Sequence, residues 1–339
     1  MLKQIKQNKQ EYFIRAFGCQ FNKADAEKMA KVLEKKGYEL SPSLCGADLV
    51  IILMCSVRQK SVEKVKSLVA DIKKTNKQVV LKGCILPTDK KMFEKMGVKF
   101  SFKGLTITRI EKEKPTTGLI EIGQGCNNFC SYCVVPYTRG REKYRSPLEI
   151  IKEAKYLLKN GIKDLTLIAQ NVNSYKHGKT DFKGLLEMVN NLKGNFKIKF
   201  LTNHPKDMTS ELIEMIAKLE KVKKEIHLPL QSGSTKILRK MNRKYTKQDY
   251  LKLIQKIRKV MPQTRLTTDV IVGFPGETKK DFQDTLDVIK KTHFKQAFVS
   301  KYSPRVGTAA FKLKDNVPLE EKKKREQTLL KLIKNNAKT

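Results

Sequence analysis

Gly123-Gln124-Gly125-Cys126-Asn127-Asn128-Phe129-Cys130-Ser131-Tyr132-Cys133-Val134-Val135-Pro136-Tyr137-Thr138-Arg139-Gly140 decides how this chain is read. Cys126, Cys130 and Cys133 are separated by three and then two residues, so three thiols in one short loop point at one shared object. Closed zinc sites almost always take four protein ligands. No further Cys or His lies within 40 residues of these three in either direction. A set of three suits a cubane iron–sulfur cluster, with one Cys on each of three irons and the fourth iron open. An open iron can bind a small chelating molecule, which makes the loop a place of chemistry and not a staple. Zinc is the alternative that the residues leave open.

The chain has 339 residues, enough for two or three domains. Hydrophobic residues make up 40% of it, so it can bury a core, although no Trp contributes. The formal charge of +37 calls for a polyanionic partner, and nucleic acid is the natural one. The competing explanation is drift toward Lys, since only 12 of the 71 basic residues are Arg. Seven cysteines, an odd number without framework spacing, fit a reducing cytosol. The first ten residues have no apolar segment, and the longest apolar run, Leu49 to Met54, is far below the ~18 residues of a membrane span. A soluble, cytoplasmic protein is expected.

Upstream of the cysteine loop a pattern repeats three times. Strands are predicted at Tyr12–Phe17, Asp48–Leu53 and Gln78–Lys82, followed by Cys19, Cys55 and Cys84. Helices are predicted at Asn22–Lys36 and from about Val57 to Lys74. Strand ends of a parallel sheet lie along one edge, so these three cysteines would meet there as a second cluster site. Cys45 precedes its strand and reads as a structural thiol. Downstream, strands are predicted at Leu119–Ile122, Leu165–Ala169, Lys197–Leu201, Ile226–Leu230, Leu266–Val272 and Ala297–Tyr302, with helices between them. The fold class is therefore α/β: an N-terminal doubly wound parallel-sheet domain followed by a partial (β/α)6 barrel. The expected divisions are 1–113, 114–317 and a C-terminal amphipathic helix in 318–339, with Leu319, Leu329, Leu330, Leu332 and Ile333 as its apolar positions.

In barrels of this kind chemistry sits at the carboxyl ends of the strands. Those ends carry Gln170-Asn171-Val172-Asn173, Thr202-Asn203-His204-Pro205, Gln231-Ser232-Gly233-Ser234, Gly273-Phe274-Pro275-Gly276-Glu277 and Ser303-Pro304-Arg305. Turn chemistry explains the Gly, Pro and Ser. It does not explain the recurring amides, Glu and Arg, which read as a pocket lining. His204 and His227 read as hydrogen-bonded structural residues.

Phe17-Gly18-Cys19-Gln20, Cys55-Ser56-Val57-Arg58 and Gly83-Cys84, with Gln124 to Gly140, Gln170 to Tyr175, His227 to Ser234, Thr268 to Glu277 and Tyr302 to Arg305, resemble the motifs of the radical S-adenosylmethionine (SAM) methylthiotransferases. The chain departs from that pattern at Leu53-Met54 and at Ile85-Leu86-Pro87, and the family's C-terminal RNA-binding barrel, TRAM, is not expected within it. The resemblance implies two [4Fe-4S] clusters, on Cys126, Cys130 and Cys133 and on Cys19, Cys55 and Cys84, with SAM as co-substrate. It implies methylthiolation of carbon-2 of N(6)-dimethylallyladenosine at tRNA position 37. The alternatives are the threonylcarbamoyl nucleoside or a ribosomal-protein aspartate. Gln170, Asn171 and Glu277 are the implied SAM contacts, and Arg139, Arg141 and Arg305 the implied RNA contacts. Implied partners are the tRNA anticodon loop, an electron donor such as flavodoxin or ferredoxin, and a sulfur donor, with the enzyme a monomer and no membrane involved. A reading from another class is a non-catalytic metal-containing RNA-binding protein.

The charge of +37 predicts that tRNA is held mainly through phosphates. Log affinity should then fall with log salt at roughly 0.7 to 0.9 per phosphate neutralised, so six contacts would lose on the order of a thousandfold between about 50 and 200 mM. A titration of cognate and non-cognate tRNA across salt checks this. A flat response would mean that a structured surface, not charge, holds the RNA.

Overall fold

The computed structural model describes residues 10–18, 20–75, 77–100 and 118–336. The chain divides into two units, Met1–Lys114 and Pro115–Thr339.

The first unit is built on β3 (Leu49–Cys55), whose seven residues are all buried. An unbroken apolar strand needs cover on both faces, as in a doubly wound sheet. Its neighbours are β1 (Glu11–Ala16) and β4 (Gln78–Cys84), and the two-residue β2 (Glu39–Leu40) completes a parallel sheet of order β2-β1-β3-β4. Val50, Ile52 and Met54 pack with Val62, Val65, Val69 and Ile72 of α2 (Gln59–Lys73) and with Phe93 of α3 (Pro87–Lys95). Leu49, Ile51 and Leu53 pack with Leu33 of α1 (Gln20–Lys35) on the other face.

Strands β3 and β4 run further than the sequence suggests. Cys55 and Cys84 are their last residues and are partners in register, so the two cysteines sit side by side on the sheet. The close of this edge rests on Asn22, fully buried, whose Nδ2 donates to Phe17 O at 2.7 Å and to Met54 O at 2.8 Å. That one amide ties the end of β1 to the end of β3. Gly83 sits beside it at φ +103°, where a Cβ would lie 2.3 Å from Met54 O.

In the second unit β5 (Leu119–Glu121), β8 (Asp164–Ile168) and β11 (Lys197–Leu201) form one parallel ladder. β12 (Glu225–His227), β13 (Arg265–Val272) and β14 (Gln296–Lys301) form a second. The segment just before β12 joins them: Ile198 N donates to Lys221 O at 2.8 Å and Lys223 N to Ile198 O at 2.9 Å. Two small hairpins, β6 (Gly123–Gln124) with β7 (Lys143–Tyr144) and β9 (Lys176–His177) with β10 (Thr180–Asp181), lie outside the ladders. The short α4 (Val135–Thr138) lies within the cysteine loop. The outer helices are α5 (Pro147–Lys159), α6 (Phe182–Asn190), α7 (Ser210–Lys218), α9 (Lys247–Val260) and α10 (Lys279–Thr292). Their starts are capped by the side chains of Ser146, Asp181, Thr209, Thr246 and Thr278, which satisfy backbone N–H groups that a first turn leaves open.

β12 is shorter than the predicted Ile226–Leu230 strand. Pro229 has no N–H for a ladder, and Thr268 Oγ1 takes over by accepting from Leu230 N and donating to Leu228 O, both at 2.9 Å. The chain then continues into a short helix that the sequence reading does not foresee, α8 (Thr235–Lys240). The last helix, α11 (Leu319–Asn336), packs on β14 and α10. Leu329 and Ile333 are buried, as expected, but Leu319 and Leu330 are 57% and 47% exposed. Leu332 packs partly buried against the same core, and two charged residues, Lys322 and Arg325, are also buried on this helix. Among the described residues no helix is long and apolar enough to cross a membrane.

Replacing Asn22 with Ala removes both bonds and leaves the buried Met54 O and the part-buried Phe17 O short of a donor. The expected cost is about 1–3 kcal/mol, read as a lower urea midpoint for the first unit. An unchanged midpoint would show that the edge closes without it.

Candidate active site

The cysteine loop leaves the carboxyl end of β5 and returns through the β6–β7 hairpin. At its base Gly125 N donates to Gln170 Oε1 at 2.6 Å and Cys126 N donates to Gly140 O at 3.1 Å. Gly125 has φ +85°, and a Cβ there would lie 2.1 Å from Arg141 O, so the position requires glycine. Asn127 and Glu142 bond to each other's backbone across the loop, at 3.2 and 3.3 Å. Phe129 adopts φ +47° and is covered by the Arg141 guanidinium, 4.2 Å from the ring centre.

The middle of the loop is fixed to the end of α8. Ser131 Oγ donates to Lys240 O at 2.8 Å, and Asn242 Nδ2 donates to Phe129 O at 2.9 Å. Arg243 follows. It is 7% exposed; its Nη1 donates to Cys130 Sγ at 3.3 Å, its Nη2 to Pro229 O at 3.2 Å and its Nε to Tyr245 Oη at 2.9 Å.

Cys130 is buried, and Cys126 and Cys133 are half-buried. Burial, reinforced by the neighbouring Cys130 and Cys126 sulfurs, pushes the Cys133 thiol up to about 12. Cys126 is raised by burial as well, while Asn128 Nδ2, 3.4 Å from its sulfur, opposes the shift. Thiols grouped this way hold thiolate charge only beside a cation, as a bound metal centre supplies. Among the described residues no three Cys, His, Asp or Glu side chains are gathered as the ligands of a single metal ion. A cluster does not demand that convergence, because each cysteine takes a different iron.

The other strand ends lie at the same end of the ladders. Asn171 Nδ2 donates to Asp207 Oδ2 at 2.8 Å, and Asn203 Nδ2 to His227 O at 3.0 Å. Asn171 Oδ1, Asn203 Oδ1 and Gln231 Oε1 are buried and accept no hydrogen bond among the described residues. Three orphan acceptors at three successive strand ends are what a donor-bearing ligand would satisfy. His204 accepts from Lys206 N through Nδ1, and burial, aided by the Arg243 and Lys206 charges, lowers it to about 2, so the ring is neutral. His227 bonds Thr267 Oγ1 at 2.9 Å and Asp269 Oδ2 at 3.2 Å.

Glu277 lies elsewhere than an open pocket wall. Its Oε2 accepts from Gly273 N and from Arg325 Nη1 of α11, both at 2.6 Å, and the pair is almost wholly buried. Arg141 is exposed, Arg139 half-buried and Arg305 3% exposed. In the first unit Cys55 and Cys84 are both buried, and Ser56 N donates to Cys84 O at 2.8 Å. Cys19 lies outside the described residues. Cys45 is exposed, at the opposite end of β3, and is not a core thiol.

Sequence reading missed Arg243, Arg325 and Asn22. The first two stand in Lys-rich stretches where one more basic residue gives no signal. Asn22 sits inside a helical period and looks like a surface position.

A six-stranded α/β unit with three thiols at the mouth defines a radical SAM protein. The model for the Radical SAM superfamily matches residues 120–289, and that for Uncharacterized protein family UPF0004 matches residues 11–102. The chain is 41% identical to a tRNA-2-methylthio-N(6)-dimethylallyladenosine synthase of Caldicellulosiruptor saccharolyticus, over 95% of this chain and 77% of that protein. It is 42% identical to the protein of the same name from Clostridium novyi, over 95% and 80%. Among solved structures it is similar in fold to the radical SAM methyltransferase TsrM from Kitasatospora setae, with TM-score 0.59 and 14% identity over 86% of this chain and 75% of that one. The chain belongs to the radical SAM superfamily and, within it, to the family of these tRNA methylthiotransferases.

Arg325→Met should cost roughly 3–5 kcal/mol, because it leaves the Glu277 carboxylate buried without its cation. Adding Glu277→Gln to that variant should recover part of the loss. Equal and additive costs in urea unfolding would show that the two side chains are not coupled.

Proposed function

We propose that this chain is a radical SAM methylthiotransferase of tRNA, and that it places a methylthio group on carbon-2 of N(6)-dimethylallyladenosine at position 37, beside the anticodon. The observation that carries the reading is the fixed loop of three thiols at the barrel mouth, in a chain 41% identical to a synthase of that name. In this reading 1–113 is the methylthiotransferase domain, 114–317 the radical SAM core and 318–339 the helix that backs it.

Cys126, Cys130 and Cys133 would hold one four-iron cluster, and Cys19, Cys55 and Cys84 a second. When bound, the first supplies the electron that cleaves SAM and the second the sulfur that is transferred. The target C–H is neither acidic nor next to a leaving group, which is why acid–base side chains are not called on.

What the chain's own residues do is hold and orient. Gln170 fixes the base of the cysteine loop through Gly125 N. Asn171 offers a buried acceptor next to it, suited to an ammonium or hydroxyl of SAM. Glu277 acts on SAM through the Gly273-Phe274-Pro275 turn, since its carboxylate is already held by Gly273 N and Arg325. Arg141, exposed on the loop, and Arg139 suit RNA phosphates, whereas buried Arg305 suits a role in shaping the pocket. The base has to leave its stack to reach the pocket, which a hairpin loop makes easy. The partners are then the tRNA anticodon loop, a low-potential electron donor such as flavodoxin or ferredoxin, and a sulfur donor, all in the cytoplasm.

Anaerobic reconstitution with iron and sulfide, then incubation with SAM and tRNA and mass spectrometry of the nucleosides, tests this. Cys126→Ala, Cys130→Ala and Cys133→Ala should each abolish SAM cleavage. Cys55→Ala and Cys84→Ala should keep cleavage and lose methylthiolation, and Cys45→Ala should lose neither. Thiolation of only the threonylcarbamoyl nucleoside would move the substrate assignment and keep the family.

A further inference from the structure

Arg243 is a buried cation without a buried anion. It is 7% exposed, yet among the described residues no Asp or Glu forms an ion pair with it. Its three bonds go to a thiol sulfur, a carbonyl and a phenol, all neutral. A guanidinium keeps its proton at any working pH, and a buried charge is costly unless an opposite charge compensates it. Among the described residues no carboxylate stands beside it: its neighbours are the His204 ring, which is held neutral, the Tyr132 phenol, and Tyr245, which donates to Pro229 O and Leu230 O. The group in reach that carries negative charge once it ligates a metal centre is the cysteine set, which Arg243 touches directly through Cys130 Sγ at 3.3 Å.

We infer that Arg243 is the built-in counter-ion of the centre held by Cys126, Cys130 and Cys133, and that its charge sets the potential at which that centre accepts an electron. The inference rests on reading those cysteines as cluster ligands. A cluster carried by three thiolates is net negative and becomes more so on reduction. Reduction adds one electron from a low-potential one-electron donor and moves no proton. A fixed cation that donates to one of the ligand sulfurs therefore favours the reduced form and raises the potential, hydrogen bonds to sulfur and net charge being two of the protein's levers on it. The anchors on Tyr245 and Pro229 keep the guanidinium from swinging away. Arg243 is thus a positioning residue for charge, and the role requires nothing of the substrate.

The test uses the full chain carrying Cys55→Ala and Cys84→Ala, so that the iron bound reports the barrel site alone, about four per chain. Redox titration with dithionite, followed by electron paramagnetic resonance, gives the midpoint. Arg243→Gln should lower the ratio of reduced to oxidised cluster at a fixed potential at least tenfold, ~59 mV for a one-electron couple. Arg243→Lys keeps the charge and should stay within about threefold of the parent. A Gln variant with the parent's midpoint overturns the inference, as does a Lys variant as low as the Gln variant. Where the Gln variant retains no iron, the Lys variant decides: iron held at the parent midpoint supports the charge, and iron lost overturns it. If instead Cys126→Ala in this background binds as much iron as the parent, the ligand assignment is what fails.

Discussion

Three thiols on an eight-residue stretch form a site only if the backbone between them cannot relax. Here the loop's two ends are bonded to each other, through Cys126 N on Gly140 O and the Asn127–Glu142 pair, and its base is held to the next strand end by Gln170. Its middle is held by α8 and the two residues after it. Ala310 N, from beyond β14, donates to Ser131 O at 2.7 Å. The loop is therefore an inward-facing part of the barrel and not a surface excursion. That rigidity is what would let the three thiols wait in place for a centre that deprotonates them on binding.

Both units use the same topological device. Parallel strands deliver every carboxyl end to one edge, and chemistry-bearing residues collect there. In the first unit the register does more than topology requires, because Cys55 and Cys84 are direct partners on adjacent strands. Asn22 and Gly83 close that edge with one buried amide and one left-handed turn. In the second unit the edge is irregular: Thr202 and Gln231 both take positive φ, +71° and +66°. Strain at a strand end is held by its surroundings, and such positions gather where a ligand is bound. The unsatisfied oxygens of Asn203 and Gln231 are at or next to those two residues.

The alternation of strands and helices was legible because each element carries its own periodicity, and the cysteine loop because its spacing is local. The largely apolar run from Asp48 to Leu53 reads as a strand covered on both faces, and β3 is that strand, carried two residues further to Cys55. What escaped is what long-range contact decides. β12 stops at His227 because Thr268, forty residues later, takes its hydrogen bonds. Arg243 and Arg325 look like two more charges among 71 basic residues, and only the fold shows that each is buried against a particular partner. Leu319 and Leu330 fit an apolar stripe by composition, yet the helix is rotated so that Lys322 and Arg325 face inward instead.

That rotation follows from what α11 must cover. The turn after β13 exposes Gly273 at φ +69°, and the Lys322 stem lies against it so closely that a Cβ would sit 2.2 Å from Lys322 Cγ. A leucine could supply the apolar stem but not its end. Lys322 Nζ reaches Asp315 at 2.6 Å and lies 5.3 Å from the Tyr302 ring centre. Arg325 finishes the clamp on Glu277. Tyr302 in turn packs on Phe274, which shares a small core with Met241, Ala310 and Tyr132 of the cysteine loop. Charged residues on α11 and the thiol loop are thus two ends of one packed chain of contacts. A long, flexible basic side chain serves here as an apolar spacer with a polar tip, and the carboxyl end of β13 is held from behind by the last helix.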